Sequence, residues 1–145
     1  MPIRCEIVSQ DRMVFSGEVS MVVVPGADGV MGILPNHAPL LSTLAFGVVT
    51  VVVNNEREYF TVAGGIVEVQ PDQVTILADA AENVEEIDVA RAETAKSKAE
   101  NMLEEQYLLN LEEIETLRTS LRKSSLRLDA IRKYRKGKDM QRFRG

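Results

Sequence analysis

Apolar and polar positions alternate along Ile3-Arg-Cys-Glu-Ile-Val8, a shorter apolar run covers Arg12–Phe15, and Glu18–Val24 leads into Pro25. A period of two is the signature of a strand with one face turned to a core, so three strands are predicted here. The same period returns over Val48–Val53, Glu58–Ala63, Ile66–Gln70 and Val74–Leu77. Between these runs, Asn54-Asn55 is a hairpin-type pair, Gly64-Gly65 reads as a break in the chain, and Pro71-Asp72 suits a type I turn. Eight or more short strands with no helical period among them predict a β-sandwich or flattened barrel.

The stretch from Pro25 to Leu41 interrupts this pattern. Prolines at 25, 35 and 39 and glycines at 26, 29 and 32 read as one continuous loop system, shaped by fixed and permissive φ angles, that holds the only histidine, His37. Such loops on a rigid scaffold carry binding residues or simply link short strands, and the pattern alone leaves both readings open.

From Glu82 the period changes. No Gly or Pro occurs between Asp88 and Gly137, and Val89, Ala92, Ala95, Ala99, Met102 and Leu103 form one narrow face at helical spacing. Asp88 fits an N-cap, with Glu85 and Glu86 suited to the positive end of the helix dipole. A second stripe follows in Leu111, Ile114, Leu117, Leu121, Leu128 and Ile131. The join at Gln106–Asn110 contains neither Gly nor Pro, so the segment is readable as one long helix or as an antiparallel hairpin. The expected organisation is a β domain over residues 1–84 and a two-helix domain over 85–145.

Composition agrees with this division. The 145 residues are 45% hydrophobic, with no Trp and few aromatics, so the core must be aliphatic. The single cysteine, Cys5, has no intramolecular partner, which favours a reducing compartment and a role as a small buried hydrophobe. No leader-like segment opens the chain and no apolar run approaches a membrane span, so the expectation is a soluble protein that reaches a membrane only through a partner. The net charge of −5 is unevenly spread: residues 1–84 and 85–115 each carry −7, and residues 116–145 carry +9. The last thirty residues are a basic arm on an acidic protein, able to pair with Glu93, Glu100, Glu104 and Glu105 through Arg118, Arg122, Lys123 and Arg127. Exposed pairs contribute only ~0.2–1 kcal/mol each, so charge alone would close such a hairpin weakly. The arm reads as a solvated mixed-charge helix or as a movable, partner-binding element.

Enzyme chemistry is not encoded in any recognisable form. His37 has no Ser or Cys nucleophile at a known spacing, Cys5 and His37 are too few and too far apart to ligate a metal, and no phosphate-cradling glycine loop occurs. The basic run Arg132-Lys-Tyr-Arg-Lys-Gly-Lys138 could meet phosphates, but the acidic remainder and the lack of aromatics at stacking intervals argue against nucleic acid. A free-standing protein-binding module remains a rival reading.

Several motifs in fixed order narrow the choice. They are Pro25-Gly-x-Asp-Gly-x-x-Gly-Ile-Leu-Pro-Asn-His-Ala-Pro-Leu-Leu41, Gly64-Gly-Ile-Val-Glu-Val-Gln70, Val74-Thr-Ile-Leu-Ala-Asp79 and Ile87-Asp-Val-Ala-Arg-Ala92. Together they resemble the epsilon subunit of the F-type rotary ATP synthase over nearly the whole chain. The resemblance implies an α+β fold, a sandwich of about ten short strands followed by a C-terminal antiparallel helical hairpin. It implies a non-catalytic rotor subunit joining the gamma subunit to the c-ring, peripheral on the cytoplasmic face of a bacterial plasma membrane or an equivalent energy-transducing membrane. The loop from Pro25 to Leu41 would lie at the ring-facing end, with Asp28, Val30, Met31, His37 and Leu40 at the interface; His37 is equally readable as a loop-stabilising imidazole. Val30 stands where the family often carries an acid.

In bacterial members the hairpin is a switch that permits ATP hydrolysis when folded and blocks it when extended into the catalytic head. Arg118, Arg122 and Lys123 would then face the beta and alpha subunits. No cofactor is required, but ATP is a regulatory ligand of some members through an Ile-Asp-x-x-Arg-Ala motif. Ile87, Asp88, Arg91 and Ala92 match it, with Glu82 and Arg127 as matching outlying residues. Lys98 and Lys123 stand where arginines are usual, and lysine lacks the planar fork for bidentate phosphate contact. Asp88 as a plain helix cap and Arg91 as a plain surface charge are the alternatives.

Overall fold

The computed structural model describes residues 2–135, and the chain divides into two units that meet between Val84 and Glu85. The first unit contains eight strands, β1 Ile3–Val8, β2 Met13–Val19, β3 Met21–Gly26, β4 Gly29–Ile33, β5 Leu40–Val53, β6 Glu56–Val69, β7 Gln73–Ala78 and β8 Ala81–Asn83. Their order is β2-β1-β7-β6-β5-β3-β4, with β8 also on β6. All neighbours are antiparallel except β1 and β7. The expectation of about ten short strands is corrected to eight, because β5 and β6 are 14 residues each and pair along almost their full length. β6 replaces the two short strands expected over Glu58–Ala63 and Ile66–Gln70, and β5 extends the one expected over Val48–Val53 back to Leu40.

Two turn signals take a different form from the one expected. Gly64 and Gly65 do not break the chain; they lie inside β6 with φ of +85° and +126°, a conformation open to glycine. A Cβ on Gly65 would stand 2.2 Å from the Leu77 carbonyl oxygen, so the absent side chain lets β6 bend against β7 without leaving the sheet. The second correction concerns residues 25–41, which are not one loop: β3 continues through Pro25, and β4 folds back on it to make a hairpin. Pro25 is tolerated because the β3–β5 ladder skips from Val23 to Gly26, where no donor is asked of it. Asn54 and Asn55, with φ of +52° and +66°, form the expected tight turn.

The core is aliphatic and lies wholly within this unit. Ile3, Cys5, Ile7, Val22, Val24, Ile33, Val49, Val51, Phe60, Val62, Val67, Val69, Val74 and Ile76 are all buried. Phe15 meets Phe60 edge to face at 5.5 Å. Burial pushes the Cys5 thiol from 9.0 up to about 12, with the charge of Glu6 adding to the effect, so the thiol is inert at neutral pH.

The second unit is a pair of helices, α1 Val89–Glu104 and α2 Leu111–Tyr134, joined by a 3-10 turn at Gln106–Leu108. Asp88 caps α1 by accepting from the Arg91 N–H at 3.0 Å. The open choice between one helix and two resolves to two, and Asn110 is the reason. Its side chain accepts from the Glu113 N–H at 2.8 Å, and Glu113 accepts in return from the Asn110 N–H at 3.4 Å. That capping box starts a new helix without Gly or Pro. Ala92 and Ala99 on α1 and Ser124, Ala130 and Ile131 on α2 are the buried residues of the pair.

Candidate interaction surfaces

The strand registers bring outward-facing apolar side chains into a row. Val8 pairs with Met13 on one side and Leu77 on the other, Leu77 pairs with Ile66, and Ile66 pairs with Thr43. Directly paired residues share a face, and the alternate positions Ile7, Ile76 and Val67 fill the core. The row therefore crosses five adjacent strands on the outside of the sheet, about 20 Å at ordinary strand spacing. Met13 is 51% exposed, Leu77 46% and Ile66 38%, and Leu41, one outward position along β5 from Thr43, is 66% exposed. A contiguous apolar strip on the outside of a sheet marks a protein contact more often than a defect.

The 25–41 region supplies less free surface than expected. Asp28 lies in the exposed β3–β4 turn, and Val30 is 76% exposed on β4. Met31 and Leu40 pack partly buried against the core. His37 donates from its backbone to the Leu34 carbonyl at 3.2 Å, and its ring Nδ1 lies 2.7 Å from the Ala38 carbonyl oxygen. These bonds favour the loop-stabilising reading of the imidazole. The loop is further tied by Asn36, whose N–H donates to Pro71 at 2.8 Å. Leu34, four residues beyond Val30 and also exposed, was not among the expected residues.

In the hairpin, Ile87 is buried, Asp88 is engaged as the cap, Arg91 is exposed and Ala92 lies fully buried in the seam. Arg127 and Lys123 share an open groove of about 520 Å³ with Ala95, Glu115, Thr116, Thr119, Ser120 and Ser124. Glu82 belongs to the first unit, where its carbonyl accepts from Thr61 Oγ1 at 3.5 Å. Arg118 pairs with Glu115 at 3.8 Å and Arg132 with Asp129, both along α2 itself. Arg122 is exposed, and Lys138–Gly145 lies outside the described residues. Among the described residues no group of three His, Cys, Asp or Glu side chains could hold a metal ion, and no helix is long and apolar enough to cross a membrane.

The row on the sheet was the feature that sequence reasoning missed. Its signal was present in the apolar residues at outward positions, Val8, Leu77 and Ile66, but which of them share a row depends on long-range register. Three comparisons bear on what such a surface serves. Residues 2–84 match the family described as ATP synthase, Delta/Epsilon chain, beta-sandwich domain. The ATP synthase epsilon chain of Dehalococcoides mccartyi is 44% identical over 134 residues, 92% of this chain and 95% of that relative. That of Chloroflexus aggregans is 50% identical over 99 residues, 68% and 71% of the two chains. Among solved structures, a chain of the Euglena gracilis mitochondrial ATP synthase OSCP/F1/c-ring assembly superposes with a TM-score of 0.75 at 20% identity, covering 90% of this chain and 81% of its own. A chain of the Tetrahymena thermophila mitochondrial ATP synthase central stalk/c-ring gives 0.56 at 13% identity, covering 90% and 97%. At those identities the two structures speak for the fold.

Proposed function

The chain belongs to the delta/epsilon family of ATP synthase chains, a non-catalytic component of that complex, and from this we infer that it couples the gamma subunit to the c-ring in the central stalk. The outward row Met13–Val8–Leu77–Ile66 with Leu41 carries the reading: it is an apolar strip on a rigid sheet, the kind of surface that a permanent partner covers. We assign this strip to gamma, and the surface at Asp28, Val30 and Leu34 to the ring. Membrane association follows through the complex, on the cytoplasmic face in a bacterium.

The test is assembly. Leu77→Asp or Ile66→Asp places a charge in the middle of the strip while leaving the core untouched, and co-purification with gamma should be lost while the isolated chain melts as before. Retention of gamma at native levels by both variants would remove the assignment.

We further propose that the hairpin is the regulatory arm, opening to make contacts with the beta and alpha subunits through Arg118, Arg122 and Lys123. A seam in which Ile131 is the one large buried side chain among Ala and Ser supports this, because little apolar area is lost on opening it. ATP is the proposed ligand of the folded arm, with Arg91 and Arg127 as its phosphate contacts and Ile87, Asp88 and Ala92 as the frame. Calorimetry of the full chain with ATP, and with Arg91→Ala, tests it; equal heats for the two proteins would dismiss the site.

A further inference from the structure

The Ile87 carbonyl lies one residue before the N-cap of α1, and Ile87 itself is only 4% exposed. The N–H that would reach back to it in a continuing helix is that of Arg91, and the Asp88 carboxylate already takes that donor at 3.0 Å. A buried carbonyl in this position needs a donor from elsewhere. It receives one from Nη2 of Arg135, 2.7 Å away and 48 residues later in the chain. Arg135 is the C-cap of α2, and its own N–H closes on the Ile131 carbonyl at 3.1 Å. Ile131, one turn earlier, is buried in the hairpin. The same residue therefore ends one helix and holds the approach to the other.

We infer that Arg135 is a positioning residue that fixes the Ile87–Ala92 segment against the last turn of α2, and so closes the base of the hairpin. The bond is charge-assisted and half sheltered from water, which makes it stronger than an ordinary surface contact. Of the buried side chains on the two helices, Ala92, Ala99, Ser124 and Ala130 are small and Ile131 alone is large, so apolar burial gives the helices only part of their hold. Opposite ends of the hairpin thus depend on two different polar devices, the Asn110–Glu113 box at the turn and the Arg135–Ile87 bond at the base. Only the second joins one helix to the other. The consequence for regulation rests on the reading of the hairpin as the movable arm; the bond's positioning role does not.

Native-state hydrogen exchange on the full chain tests the inference. In Arg135→Gln, the amides of Arg91 and Ala92 should exchange about tenfold faster, together with those of the last turn of α2, while the Glu113 amide at the far end is unchanged. Arg135→Lys, which keeps the charge and N–H donors but not the planar fork, should restore part of the protection. Acceleration confined to α2, or none at all, overturns the inference, because fraying of a helix end does not reach a segment 48 residues away. In the reassembled complex, Arg135→Gln should lower ATP hydrolysis by favouring the extended arm, the opposite direction to removing the arm. Faster exchange with unaltered hydrolysis leaves Arg135 as the positioning residue and overturns the arm's inhibitory role.

Discussion

At the scale of single residues, two positions show how the core constrains chemistry. Cys5 is fully buried, and its thiol is raised from 9.0 to about 12 because the thiolate would lose its hydration. The unfolded chain releases this proton near pH 9 and the folded chain does not until about 12, so the unfolded state binds fewer protons in between. Stability from this group is therefore complete below about pH 9 and falls as pH rises toward 12, by up to about 4 kcal/mol. Urea unfolding at pH 8 and pH 10.5 should show a steeper loss in the native protein than in Cys5→Ala, and the thiol should resist a disulfide reagent until the chain unfolds. Gly65 is constrained by space as well as by φ. Gly65→Ala forces a Cβ to within 2.2 Å of a β7 carbonyl in a backbone conformation that alanine disfavours, and should cost roughly 2–4 kcal/mol in urea unfolding. A loss under 1 kcal/mol would mean that β6 and β7 separate easily at this point.

At the scale of elements, the legible features were those set by local chemistry. Asp88 as the cap of α1 and Asn54-Asn55 as a tight turn depend on a few adjacent residues, and both are found where their side chains and φ freedom put them. Gly64-Gly65 and Pro25 were misread for one reason. Local propensity treats Gly and Pro as punctuation, whereas here long-range pairing absorbs them, one as a bend inside β6 and the other at a skipped rung of the β3–β5 ladder. Asn110 was legible and overlooked: Asn-x-x-Glu before an apolar run is a helix start even where no breaker precedes it. The capping box implies a prediction at this scale. Asn110→Ala should weaken the start of α2 by about 1 kcal/mol, seen as faster exchange of the Glu113 amide, whereas Asn110→Asp should hold it. Equal protection in both variants would leave the 3-10 turn, not the cap, as the reason the helices part.

At the scale of the molecule, order of motifs conveyed the family while register alone conveyed the exposed apolar strip, since Met13, Val8, Leu77 and Ile66 come from four strands scattered over most of the first unit. The core closes entirely within residues 3–78, so the first unit holds its own apolar interior and does not draw on the helices for it. Removal of everything after Glu86 should therefore leave a folded sandwich that still carries the whole strip and still assembles. What such a truncation takes away is a segment whose charge runs from −7 over residues 85–115 to +9 over residues 116–145, and whose seam holds Ala92, Ala99, Ser124 and Ala130 with Ile131 as its one large buried side chain. If the hairpin moves as proposed, its basic C-terminal half would favour acidic surfaces once released. If the arm spends about half its time in a blocking position, its removal should raise ATP hydrolysis by the complex about twofold while proton-driven synthesis is unchanged. Hydrolysis at the native rate under both energised and de-energised conditions would mean that the arm blocks nothing, and the contrast between its acidic first half and basic last thirty residues would then serve only to close the hairpin on itself.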